Sequence, residues 1–243
     1  NYDPITRAYT GLWDGGFKTG WTDNPAWVLY DLASNDRYST IATNLGLADI
    51  DKWTLYSVAQ WCDELVDDGM GGKEPRCVCN ANFSDQREAY EVLSSIASMF
   101  TGFVLWNGEQ LTVSVDKHNE PVAVYNNANV LNGQFSYSFA SAKAIHTAVQ
   151  VTYIDALDTY RQKTEYVADD EAIKQFGLNI KQVTAFGCTS RGQAVRFGAW
   201  VLQTELRQQG GVSFNVGREG LKHLPFDIVQ IADNDYAGVP FTG

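Results

Sequence analysis

Apolar positions recur at helical spacing in four stretches of the chain. After the Asn24-Pro25 punctuation, Ala26, Leu29, Tyr30 and Ala33 predict a short helix. Leu55, Val58, Ala59, Cys62 and Leu65-Val66 form one stripe within Ile50–Val66, and Asp49 or Asp51 near its start suits the macrodipole of a second helix. Ala89, Val92, Leu93, Ile96 and Ala97 make a third stripe, with Ser84 placed as its N-cap. Ala194, Phe197, Val201 and Leu202 make the fourth, behind Ser190 and Gln193 at the S-x-x-Q spacing of a capping box.

Elsewhere the period drops to two. Phe103–Trp106 and Leu111–Val115 flank Asn107-Gly108, a pair that predicts a type I′ hairpin. Arg76–Asn80, Phe135–Phe139, Val149–Tyr153, Tyr160–Val167, Leu178–Phe186 and Asp227–Ala232 read as further strands, as does the alternation of Val212, Phe214 and Val216. Asp169–Phe176 reads as one or two helical turns ending at Gly177. Turns are expected at Asn35-Asp36, Gly46, Gly69–Pro75, Asp155–Asp158 and Asp233-Asn234-Asp235. Twice, then, a capped helix leads into a sheet whose face it can cover. Helices and strands mix without regular βαβ alternation, so the expected class is α+β: two helix-on-sheet subdomains with mixed or antiparallel sheets. The expected division is an irregular segment at 1–24, a first subdomain at 25–125 and a second at 126–243, with Pro121–Gly133 as the crossing.

The first segment changes this picture. Trp13, Phe17 and Trp21 are large rings in a Gly-rich stretch without a period of its own. Such groups are costly to leave in water. Either the segment folds back along the first subdomain, or these rings form an interface with a neighbouring subunit or domain.

Apolar residues are 44% and aromatics 13% of 243 residues, which excludes a disordered chain. No apolar run is long enough to span a membrane, so no membrane insertion is expected; the ends suggest a piece of something longer. Net charge is −11, and residues 1–121 carry −10 of it, with 8 basic and 18 acidic groups. No Lys/Arg cluster is visible, so specific nucleic-acid binding is not expected. Cys62, Cys77, Cys79 and Cys188 are too few for a disulfide scaffold and lack companions for zinc, since His118, His146 and His223 have no paired spacing. Gly69–Lys73 fails as a phosphate loop at Asp67 and Glu74. The carboxylate pairs Asp67-Asp68 and Asp169-Asp170 sit in hydrophilic turns, and His146 stands alone before a strand. Asn82-Phe83-Ser84 is a glycosylation sequon that matters only on secretion. The expectation is no catalytic residue, no cofactor and no metal.

Longer phrases carry a resemblance. NYDPITRAYTGLWDGGFK (Asn1–Lys18), NPAWVLYDL (Asn24–Leu32), DKWTLYSVAQWCDELV (Asp51–Val66) and GGKEPR (Gly71–Arg76) begin it. VLWNGEQLTV (Val104–Val113), YSFASAK (Tyr137–Lys143), AFGCTSRGQAVRFGAWVLQTEL (Ala185–Leu206) and VGREGLKHLPFDIVQIADNDYAG (Val216–Gly238) continue it in order. Together they resemble the tip-attachment, or host-specificity, hub proteins of lambda-like phage tails. The chain departs from that pattern at Ser39, where the family tends to have Gly, and at Phe226, where Gly usually follows the Pro; a positive φ there would strain Phe.

The resemblance implies a structural hub module related to the baseplate hubs of contractile tails. It would form a homotrimer around the tail axis, contact other tail-tip and tail-tube proteins, join tube to central fibre and surround the DNA exit channel. It also implies a virion tail-tip location after synthesis in the bacterial host cytoplasm. The readings it competes with are a tail-associated wall-degrading enzyme domain and a direct receptor-binding domain.

Overall fold

The structure is a computed structural model that describes residues 2–35, 37, 50–84, 87–117, 119–139, 141, 145–234 and 241–242. The expectations at Asp36, Ser39, Gly46, Asp49, His118 and Asp235 lie outside the described residues. The chain forms two compact units. The first holds Asn1–Asp116, Gln150–Val167 and Gln182–Ala199; the second holds Lys117–Val149, Ala168–Lys181 and Trp200–Gly243. The chain leaves the first unit after Asp116 and returns to it twice. The fold class is α+β, as expected.

In the first unit, β1 (Tyr2–Asp3) and β2 (Ala8–Tyr9) form a short antiparallel hairpin where an irregular segment was expected. Helix α1 (Pro25–Ser34) begins at Asn24, whose side chain accepts from the Ala26 N–H, and Pro25 occupies the first position, where no N–H is needed. Helix α2 (Lys52–Asp63) is capped by Asp51, which accepts from the Thr54 N–H. It stops at Asp63, and Leu65-Val66 leave the expected stripe to form β3 (Leu65–Asp67), antiparallel to β4 (Lys73–Pro75). The strand therefore lies before Arg76, and the expected strand at Arg76–Asn80 is extended chain without a ladder.

Helix α3 (Ala89–Ser98) starts four residues later than expected: its N-cap position is Glu88, without a side-chain bond, and not Ser84. Its end tightens through Phe100 and Thr101 before β5 (Gly102–Trp106) pairs with β6 (Leu111–Val115). The hairpin is as expected, but its loop has four residues. The Asn107 side chain accepts from the Glu109 and Gln110 N–H groups, and Gly108 supplies a φ of +100°, so the turn is not a two-residue type I′. The core joins Ala26, Leu29 and Ala33 of α1, Leu55, Ala59 and Cys62 of α2, and Leu93 and Ile96 of α3 to Val104 and Val113 of the hairpin.

In the second unit, β7 (Ala123–Asn126) pairs in parallel with β13 (Val229–Ala232), whose other neighbour is β14 (Phe241–Thr242). Strand β8 (Ser136–Phe139) pairs antiparallel with β12 (Gly210–Ser213). Strands β9 (Ala148–Asp155), β10 (Arg161–Ala168) and β11 (Ile180–Thr184) form a sheet in the order β10-β9-β11, mostly within the first unit. Helix α4 (Asp170–Phe176) is capped by Asp169 and closed by Gly177 at φ +84°.

Helix α5 (Arg191–Arg207) starts as the capping motif requires: the Ser190 hydroxyl accepts from the Gln193 N–H. The Gln193 amide does not return to Ser190. It exchanges two hydrogen bonds with the Val78 backbone, in an extended segment that joins no ladder. In the first unit α5 lies against β9 and β10, because a Cβ at Gly198 would come within 2.6 Å of Val151 and 3.1 Å of Val167. The second copy thus packs, at Gly198, on strands earlier in the chain.

Candidate functional site

The segment before α1 is held by one buried carboxylate. Leu55, Ala59 and Asp63 lie along one line of α2, so Asp63 enters the core beside Cys62. Arg7, at φ +55° in the β1–β2 turn, donates to Asp63 at 2.7 Å and to both oxygens of Asp23 at 2.6 Å. Tyr9 Oη and Asn24 Nδ2 donate to the other Asp63 oxygen at 2.6 and 2.8 Å, and Asn24 also donates to the Ala59 carbonyl. A buried charge is tolerated only when paired and hydrogen-bonded, and here both conditions are met. Burial and the Asp63 carboxylate push the Tyr9 phenol far above its ordinary pKa, and burial together with Asp63 raises Tyr2 to about 12. None of these residues is among the sequence-based candidates. The available signal is Asp63 on the apolar line of its helix, which demands a cation.

This anchor lays two of the three candidate rings onto the unit. Trp13 stacks on Tyr56 at 4.8 Å and meets Trp53 and Trp27 edge-on at 5.0 and 5.8 Å. Phe17 stacks on Tyr30 at 4.1 Å and touches Trp13. Lys52 sits over Trp13 and Trp53 and donates to the Gly15 carbonyl at 3.0 Å. Gly15 is needed there: its φ is +81°, and a Cβ would press on the Lys52 ammonium. Trp21 joins no ring stack among the described residues and remains 72% exposed, while Trp53 is 54% and Phe17 46% exposed. The structure therefore brings Trp13 and Phe17 together and leaves Trp21 apart.

The chemical candidates fill structural places. Asp68 accepts from the Met70 and Gly72 N–H groups and closes the β3–β4 turn, and Asp169 caps α4. His146 Nδ1 meets Glu205 at 2.5 Å, and Lys181 takes the other Glu205 oxygen. Burial alone would raise the Glu205 pKa, but Lys181 and His146 outweigh it and hold it low. Burial raises the Cys188 thiol to about 12 and Cys79 to about 11, and lifts Cys62 well above the ordinary value, so these thiols are poor nucleophiles. Among the described residues no three His, Cys, Asp or Glu side chains are grouped to hold a metal, and no helix is long and apolar enough to cross a membrane.

The frame is α+β, its charged candidates are committed to internal ties and several aromatic rings stay at its surface; the class, a phage tail protein, is given by its relatives. The signature of the phage tail protein family matches residues 88–239, and the chain belongs to that family. Tip attachment protein J of Escherichia phage SECphi27 is 47% identical over 234 residues, covering 96% of this chain and 20% of that protein. Tip attachment protein J of Escherichia phage SECphi4 is 36% identical over 243 residues, 98% of this chain and 21% of that protein. The chain thus spans about a fifth of the length of these curated relatives. A chain in the virion of a native gene transfer agent particle shares the fold, with a TM-score of 0.58 at 13% identity over 71% of this chain and 39% of that one.

Proposed function

We propose that this chain is a non-catalytic assembly module of a phage tail-tip hub. The observation that carries the reading is the near-complete coverage of the chain by two tip attachment proteins. On this reading the hub is a homotrimer around the tail axis, contacts other tail-tip and tail-tube proteins, joins the tube to the central fibre and surrounds the DNA exit channel. Host attachment belongs to the whole protein. Four free thiols suit a chain made in the bacterial cytoplasm.

On this reading Trp13, Phe17 and Trp21 contribute to an interface with a neighbouring subunit or domain, and Trp21 is the most exposed of the three. The acidic surplus has a use in such a hub. The first unit carries 20 acidic and 11 basic groups, a net of −9, and the second 9 and 7, a net of −2. A negative wall lets DNA pass without sticking. The test is a cryo-electron microscopy map of the phage tail tip with an epitope inserted at Gly71. Density for the tag in three copies around the axis, with the acidic face of the first unit toward the channel, is the expected result. A tag found on the distal fibre, or cell-wall hydrolysis by the purified chain, would overturn it.

A further inference from the structure

The second unit has an open groove of about 640 Å³ at the end of the β8–β12 ribbon. This is within the size of ordinary small-ligand sites. Its apolar lining is aromatic: Phe135, Tyr137 and Phe214, with Phe135 and Phe214 5.4 Å apart and Tyr125 supporting Phe214 at 5.0 Å. Its polar lining is uncharged apart from one group. Gln134, Ser136, Ser213 and Asn215 line the groove, and their side chains have no intramolecular partner among the described residues. Asp233 is the exception: its carboxylate is fixed by Tyr137 Oη at 2.8 Å and Asn127 Nδ2 at 3.0 Å. Among the described residues the lining contains no Lys, Arg or His.

We propose that this groove is a binding site for a neutral saccharide. A sugar ring offers an apolar C–H face, which stacks on aromatic side chains, and a rim of hydroxyls that both donate and accept. Free amides and hydroxyls supply both roles, and the rings supply the platform. The Asp233 carboxylate adds an acceptor held in place by Tyr137 and Asn127. The same carboxylate, with no cation among the described lining residues, disfavours phosphate and uronic or sialic acids. A peptide strand could instead add to the free ribbon edge through its backbone, but that mode uses neither the free side chains nor the charge selection. The inference stands apart from the assembly reading, since it concerns a groove wholly inside the second unit.

The experiment is NMR on the full 243-residue chain, titrated with the methyl glycosides of glucose, galactose and N-acetylglucosamine, and with glucuronic acid. At least one neutral glycoside is expected to shift the amide signals of residues 134–137 and 213–215 with a Kd of about 1 mM. Gln134→Ala and Asn215→Ala remove side chains with no internal partner, so the fold should persist, and each should weaken binding roughly threefold to tenfold. Four results overturn the proposal. These are no groove shift with any neutral sugar up to about 50 mM, shifts that survive both substitutions, and glucuronic acid binding as well as the neutral sugars. The fourth is groove shifts that follow protein concentration instead of sugar, which would make the site a contact between copies.

Discussion

Phe226 follows Pro225 with a φ of +73°, and the Asp227 N–H returns to the Leu224 carbonyl at 3.2 Å. That is the arrangement of a type II turn, whose third position favours Gly. The left-handed region costs an ordinary residue about 1–2 kcal/mol, while Gly loses about 0.5–1 kcal/mol more backbone entropy on folding. Phe226→Gly is therefore expected to stabilise the chain by about 0.5 kcal/mol, read as a higher urea midpoint at unchanged slope. A lower midpoint would mean that the ring's own contacts outweigh the strain. Asp51 gives a second residue-scale case. Burial alone would raise its pKa, but bonds from the Thr54 hydroxyl and N–H and from Thr112 outweigh it and hold the carboxyl low. A carboxylate depressed in this way contributes stability above its unfolded value, near 4, and loses it as pH falls through the lower folded value. Asp51→Ala should cost about 1 kcal/mol at neutral pH, and the gap to the parent should narrow at about pH 3. Urea melts at the two pH values decide this, and a gap that stays constant or widens would contradict it.

At the scale of elements, α5 shows where propensity and packing part. Gly192 lies in its first turn, and by propensity alone Ala would be the better residue by about 1 kcal/mol. Yet a Cβ there would sit 2.4 Å from Glu74 Oε1 and 2.8 Å from the Asp68 carbonyl, and a backbone carbonyl in a closed turn cannot give way cheaply. Arg196, one turn on, ties the same hairpin through the Asp67 and Arg76 carbonyls and Glu74. Gly192→Ala is expected to lower stability by about 1–2 kcal/mol, measured by chemical denaturation; a gain would show that the hairpin moves freely. Much of this level was legible in the residues. The stripes of α1, α2 and α5, the Ser190 cap and the β5–β6 pairing follow from periods and turn chemistry that act over a few residues. The misses come from choices made at a distance. Leu65-Val66 extend the α2 stripe without a break, and only pairing with Glu74 and Pro75 makes them a strand. Gln193 has the right spacing for a capping box but finds Val78, far off in sequence. The β7–β13 pairing and the groove beside Asp233 have no local signature at all, and Asp63 on an apolar line signals a buried cation without saying that Arg7 supplies it.

Across the whole molecule the question is which exposed rings serve the fold and which serve a neighbour. The rings before α1 looked alike in the sequence because nothing local distinguishes them; the Asp63 anchor, formed by residues far along the chain, does. Trp13 is locked against Tyr56, Trp27 and Trp53, so its loss leaves those rings without a partner. Trp13→Ala should cost about 3 kcal/mol in the isolated chain, a drop of several degrees in Tm. Trp21 is largely exposed, and removing it takes little from the folded state. Trp21→Ala should leave Tm within about a degree of the parent. In phage carrying the substituted full-length protein the order should reverse relative to stability. Trp21→Ala should lower the yield of complete tails even though its fold is intact, because on the proposed interface reading this ring is covered in the assembled tip. Differential scanning calorimetry of the chain and electron-microscopic counts of finished tails measure the two effects separately. Normal tail yield with Trp21→Ala would remove Trp21 from the interface, and a Tm loss as large as that of Trp13→Ala would assign it to the fold.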